Sequence, residues 1–147
     1  MPRTATTLLL AGLCTIAGMA VATPSQAAAG ITPERACGPG YVRVSDGTRE
    51  IRSGSAVYGR LYLLYSNRTG RNCLALIKSI NTHTSTRVKA TLHVKGAGGK
   101  STSGRTRSYA TVTRSAAGRC VMYSGEIANA SGTKVARGGR GYWGNCG

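Results

Sequence analysis

The feature that most constrains the fold is the alternation of apolar and polar side chains in "STRVKATLHVK", residues 85–95. Because successive side chains of a strand point to opposite faces, this pattern predicts a strand with one buried and one solvent-facing side. The buried side would hold Val88, Ala90, Leu92 and Val94, and the wet side Arg87, Lys89, Thr91, His93 and Lys95. The same period extends to other parts of the chain.

Two further segments predict a hairpin in the middle of the chain. "AVYGRLYLLYS" places Val57, Gly59, Leu61, Leu63 and Tyr65 on one face, with Tyr58, Arg60, Tyr62 and Leu64 on the other. "NCLALIKSI" is apolar on both faces and predicts an interior strand, and "SNRTGRN" between the two supplies turn residues. No catalytic group lies in this hairpin, which we interpret as framework.

The later segments continue the pattern with weaker signals. "TRSYATVT", "GRCVMYSGEIA" and "TKVAR" predict further strands, whereas "GAGGKSTSGR", residues 96–105, predicts an exposed, mobile loop. About six strands with glycine-rich turns predict an all-β domain, a compact antiparallel sandwich or small barrel.

The first 29 residues are interpreted as a cleaved secretory signal peptide. A basic start, "MPRT", precedes the apolar "LLLAGLCTIAGMAVA" and the small residues of "TPSQAAAG", with cleavage expected after Ala27 or Ala29. Leu13 before Cys14 disfavours a lipoprotein signal. The sequence therefore predicts one secreted, monomeric domain, residues 30–147, without a membrane span.

Four cysteines remain in the exported part, Cys37, Cys73, Cys120 and Cys146. An even count in a secreted domain predicts two disulfides, for which three pairings are possible. We favour the nested pairing, Cys37 with Cys146 and Cys73 with Cys120, which would tie the chain ends together. Without a C-x-x-C or a nearby histidine pair, we expect neither a metal site nor a cofactor.

The exported domain is strongly basic. Of the 20 Lys+Arg in the chain, all but Arg3 fall after residue 29, and four acids oppose them, which gives a net charge of +15. This exceeds the magnitude of about 2 to 8 that suffices for solubility, and it favours anionic partners. A candidate polyanion-binding row consists of Arg87, Lys89 and Lys95, with Arg107 on a possible neighbouring strand. The alternative is an ordinary solvent-exposed face of the sheet.

The motifs "CGPGYV", "LYLLYSNRTGRNCLALIKS", "AAGRCVMYSGEI" and the terminal "NCG" resemble the spore-associated protein A family of streptomycetes. The resemblance covers nearly the whole exported chain and all four cysteines. It implies a small secreted protein of the spore or hyphal surface, and its motifs are structural rather than catalytic. The chain differs from the family pattern in its many arginines and in Tyr123, where tryptophan is expected.

Catalysis is a minority interpretation, because only His83, His93 and four carboxylates are available for acid–base work. A basic ribonuclease-like hydrolase is the sharpest enzymatic alternative, yet His93 lies on a wet strand face and His83 in the polar turn "INTHTST". A protease inhibitor is a further alternative, although the loop 96–105 is too glycine-rich to be preorganised.

The aromatic residues offer weaker candidates. The tail "ARGGRGYWGNCG" resembles a nucleic-acid-binding Arg-Gly segment, but we expect a disulfide-tethered tail with Tyr142 and Trp143 packed over the sheet. Tyr58 and Tyr62 flank Arg60 on a strand face that could bind a sugar or base, or cover the sheet. We expect no specific nucleic-acid partner. The prediction is a non-enzymatic protein that binds anionic polymers of the spore or hyphal surface.

Overall fold

The computed structural model describes residues 30–147 and is all-β. The predicted signal peptide, its expected cleavage sites and Cys14 lie outside the described residues. A five-residue helix is followed by eight strands: α1 Pro33–Cys37, β1 Val42–Ser53, β2 Ala56–Ser66, β3 Arg71–Lys78, β4 Thr86–Val94, β5 Gly98–Thr106, β6 Tyr109–Ser115, β7 Val121–Ala128 and β8 Val135–Gly144.

The eight strands form one antiparallel sheet in the order β5-β4-β7-β8-β1-β2-β3-β6. The two edge strands, β5 and β6, lie against one another, so the sheet is a nearly closed barrel. Arg114 of β6 bridges them by donating to the Ala97 and Gly98 carbonyls at 2.9 and 3.2 Å. The prediction of a compact antiparallel β-fold is therefore confirmed in its barrel form.

The barrel interior is filled by the apolar side chains that strand periodicity predicted. Leu61, Leu63, Leu74, Leu76, Val88, Leu92, Val94, Val121 and Ile127 are among the fully or almost fully buried members of one core cluster. In β4 every second residue is buried, as expected. β3 pairs with β2 and β6 and is buried on both faces, which confirms it as an interior strand.

Helix α1 packs on the outside of the barrel against β2 and β3. Thr32 caps it, accepting a hydrogen bond from the Arg35 N–H at 3.2 Å, and Pro33 occupies the first turn, where no N–H is needed. The Cys37–Cys73 disulfide fixes the helix to β3.

The nested disulfide pairing is wrong. The disulfides join Cys37 with Cys73 and Cys120 with Cys146. Strand order gives the reason: Val121 of β7 lies opposite Gly144 of β8, which brings the neighbouring Cys120 and Cys146 together. β3, which carries Cys73, is separated from β7 by β2, β1 and β8.

The prediction of a mobile loop over residues 96–105 is also wrong. Residues 98–106 form β5, paired along its whole length with β4, and the connection between the two is the turn 95–97. As an edge strand, β5 has almost every side chain exposed, so burial imposes no apolar alternation on its sequence. β1 likewise lacked a clear pattern, since its register with β2 is interrupted twice.

Candidate functional site

The predicted polyanion-binding residues are only partly brought together. Arg87 and Lys89 are exposed on the outer side of β4. Arg107 is not on a neighbouring strand as expected, but in the two-residue connection between β5 and β6, near the Arg87 end of β4. Lys95 lies in the turn beyond the other end of β4, roughly 20 Å from Lys89 at strand spacing.

Sequence reasoning missed Arg105 because it assigned this residue to a loop. Arg105 lies on β5 directly opposite Arg87, and Ser103 lies opposite Lys89. We call the outer surface formed by Arg87, Lys89, Ser103 and Arg105 the cationic face. One Arg105 nitrogen donates to the Ser85 carbonyl at 2.6 Å, which holds the guanidinium beside β4.

None of the four carboxylates of the chain forms an ion pair with the cationic face. Arginines elsewhere hold all four: Glu34 pairs with Arg43, Asp46 with Arg49, Glu50 with Arg52 and Arg60, and Glu126 with Arg137. The sequence between Glu50 and Glu126 contains no acid at all. Like charges directly opposite each other on a sheet destabilise it, so the Arg87–Arg105 pair favours an external anion.

A second arginine pair provides an internal comparison. Arg52 of β1 and Arg137 of β8 also lie opposite each other. Here Arg52 Nε donates to Glu50 at 2.7 Å and Arg137 Nε donates to Glu126 at 3.2 Å. The fold thus neutralises one cross-strand arginine pair with its own carboxylates and leaves the other without any.

A shallow pocket of about 130 Å³ adjoins the cationic face, between β4, β5, β7 and β8. Its polar lining is Arg87, Lys89, Ser103 and Glu126, and its apolar lining includes Ala128 and Val135. Lys89 and Glu126 are cross-strand neighbours without an ion pair between them. The pocket therefore presents cations, a hydroxyl, a carboxylate acceptor and aliphatic surface together.

The histidines are not assembled into an acid–base pair. His83 is exposed in the connection before β4, and His93 lies near the end of that strand, which separates them by roughly 20 Å. Gly99 on β5 leaves room for the His93 ring, since a Cβ at residue 99 would lie 2.6 Å from His93 Nδ1. Within residues 30–147 every ion pair involves an arginine and none a histidine.

A separate polar cluster lies where β1, β7 and β8 meet; we call Asp46, Arg49, Tyr123, Arg140 and Tyr142 the Asp46 cluster. The Tyr142 hydroxyl donates to Asp46 at 2.8 Å and Arg49 donates to it at 2.9 Å. These bonds, that of Tyr142 above all, lower the pKa of Asp46. The buried Arg140 donates to the Asp46 and Val121 carbonyls at 3.2 and 3.1 Å. The cluster is built as a structural junction.

The aromatic candidates are placed differently from the prediction. Tyr58 is only 8% exposed and belongs to the core, so it does not flank Arg60 on an open face. Tyr62 is half-buried, with the Arg43 guanidinium 5.1 Å from its ring centre. Tyr142 and Trp143 belong to β8 itself rather than to a tail lying over the sheet.

Two negative observations apply to the part of the chain that the structure describes. No helix there is long and apolar enough to cross a membrane. No group of three or more His, Cys, Asp or Glu side chains in residues 30–147 is placed to hold a metal ion.

Comparisons with known proteins gave no match: no family model, no curated protein and no solved structure is similar to this chain at a significant level. The likeness to the spore-associated family therefore rests on the sequence motifs alone.

Proposed function

We propose that this protein is a secreted, non-enzymatic protein of the spore or hyphal surface that binds anionic polymers through its cationic face. The observation that carries the proposal is the Arg87–Arg105 pair, which has no carboxylate partner although the fold provides partners for the equivalent pair, Arg52 and Arg137. A polymer with regularly spaced anions would relieve the repulsion between the two guanidinium groups.

Strand geometry supports a polymeric ligand. Arg87 and Lys89 project from the same side of β4, about 7 Å apart along the strand, and Arg105 lies one strand away at roughly 5 Å. Such spacings suit successive anionic groups of one chain. The extracellular location is proposed from the signal-like N-terminus and accords with the two disulfides, which persist in oxidising compartments.

The ribonuclease-like alternative, a histidine with a glutamate and arginines for the phosphate, finds less support. Neither His83, in the connection before β4, nor His93, near the end of that strand, forms an ion pair with a carboxylate in the described residues. For the inhibitor alternative, residues 98–106 form a paired strand rather than a projecting loop. The spore-surface location is likewise proposed, and it rests on the motifs that resemble the spore-associated family.

The proposal is tested by salt elution from a polyanionic resin. The Arg87→Gln/Lys89→Gln variant should elute at clearly lower salt than the parent protein, because each lost contact reduces the salt dependence of binding by about one ion. The control variant, Arg68→Gln/Arg119→Gln, removes the same charge from exposed turn positions remote from the cationic face. If both variants lowered the eluting salt concentration equally, binding would depend on net charge alone, and a defined site would be contradicted.

A further inference from the structure

We propose that the pocket beside the cationic face binds one acidic sugar unit of a uronate-containing polysaccharide. This inference rests on the proposed function and specifies its ligand. It follows from the mixed chemistry of the pocket, which a site for anionic groups alone would not require.

The pocket size suits a single ring. Its volume of about 130 Å³ is close to the ~150 Å³ cavity that accommodates benzene, and it lies open at the surface. Ala128 and Val135 provide aliphatic lining, and Val135 is 38% exposed although it is a large apolar residue. The C–H face of a sugar ring can cover such a surface.

The polar lining distinguishes a sugar acid from a phosphate chain. Arg87 and Lys89 can bind a carboxylate, and the planar guanidinium can do so with two hydrogen bonds. Glu126 also lines the pocket and is half-buried, with Arg137 Nε 3.2 Å from its Oε1. An ionised carboxylate only accepts hydrogen bonds, so it favours a ligand with hydroxyl donors and repels one that carries only anions.

Nucleic acid is less favoured in this pocket for a related reason. Bases of single strands bind mainly by stacking on aromatic rings. The lining here is aliphatic and polar, without an aromatic residue. Ser103 adds a hydroxyl that can both donate and accept, as sugar hydroxyl groups require.

Two matched variants test the inference in the full exported protein. Glu126→Ala and Glu50→Ala each remove one negative charge, but Glu50 does not line the pocket. Dissociation constants would be measured for polygalacturonate, polyphosphate and single-stranded DNA at equal anion concentration and ionic strength. Circular dichroism and thermal melting would verify that each variant is folded.

The parent should bind polygalacturonate at least ten-fold more tightly than polyphosphate or DNA. Glu50→Ala should tighten binding of all three polymers, because it raises the net charge and frees Arg52 and Arg60 while leaving the pocket lining intact. Glu126→Ala should tighten polyphosphate and DNA but weaken polygalacturonate several-fold, since the hydroxyl acceptor is lost. Ser103→Leu, which fills the pocket without a charge change, should weaken polygalacturonate alone.

The inference fails separately from the proposed function. If all three polymers bind equally and respond alike to each variant, the cationic face binds polyanions but the pocket does not recognise a sugar acid. If DNA or polyphosphate binds best, the uronate assignment is overturned. If none of the polymers binds at low salt, the proposed function fails and the inference fails with it.

Discussion

Arg87 and Arg105 lie directly opposite each other on β4 and β5, and neither is ion-paired with a carboxylate of the chain. Like charges directly opposite each other on a sheet destabilise it. Replacing Arg105 with Thr, a good strand former, removes this repulsion together with the bond to the Ser85 carbonyl, so the free energy of unfolding should change little while polyanion binding weakens. Urea unfolding and resin elution measure the two effects. If Arg105→Thr lost stability and polyanion binding to the same extent, the weaker binding would follow from unfolding, and a functional role for this pair would be contradicted.

The disulfide connectivity gives a second prediction. Non-reducing peptide mapping should recover Cys37 linked to Cys73 and Cys120 linked to Cys146. Removing either bridge with a Cys→Ser pair should cost about 3–4 kcal/mol on the loop-entropy model, because the closed loops span 36 and 26 residues. A peptide linking Cys37 to Cys146 would contradict the observed fold at the α1–β3 contact.

Stability should be sensitive to the loss of the buried Arg140 side chain. It is 2% exposed, its guanidinium carbon lies 5.1 and 5.6 Å from the ring centres of Tyr123 and Tyr142, and it donates to two backbone carbonyls. Arg140→Ala should lower the free energy of unfolding by roughly 3 kcal/mol or more, since packing and two charge-assisted bonds are lost. The exposed Arg119→Ala is the control and should change stability by less than about 0.5 kcal/mol.

The junction between β1 and β8 should tolerate no added side chain. A Cβ on Gly138 would lie 2.0 Å from the Glu50 carbonyl oxygen, a backbone atom that cannot move aside cheaply. Gly138→Ala should therefore destabilise the protein by roughly 1–3 kcal/mol through backbone displacement. Gly141→Ala, on the same strand with open space around it, is the matched control. Equal melting temperatures for the two variants would contradict the observed β1–β8 packing.

Stability should fall on acidification. Bonds to Arg43 lower the pKa of Glu34, bonds to Arg52 and then Arg60 lower that of Glu50, and bonds to Tyr142 and then Arg49 lower that of Asp46. Because the folded pKa values are depressed, their stabilisation is present above the unfolded values near 4 and is lost as pH falls through the folded ones. Urea midpoints should decrease below about pH 4, less steeply in Asp46→Asn. A midpoint that rises on acidification would contradict these pairings.

Sequence periodicity correctly predicted two kinds of strand: those with one buried and one exposed face, and those with both faces buried. β4 alternates because one face packs in the barrel and the other meets solvent. The middle of β3, residues 73–77, is apolar on both faces because α1 covers part of its outer face. β5 carried no such signal, since an exposed edge strand needs only backbone pairing. Because β5 was predicted as a loop, Arg105 on this strand was not recognised as part of the cationic face. The disulfide pairing depends on β7 and β8 being neighbours, which spacing along the chain does not reveal.

The most direct test of the central claim is backbone amide chemical-shift mapping of residues 30–147 during titration with polygalacturonate. We expect shifts concentrated at residues 87–89 and 103–105 and around Glu126, and we expect added salt to reverse these shifts by releasing the polymer. Shifts concentrated instead on α1 or on the Tyr142–Trp143 segment would contradict binding through the cationic face. No shifts at low salt with polygalacturonate, polyphosphate or DNA would contradict polyanion binding altogether.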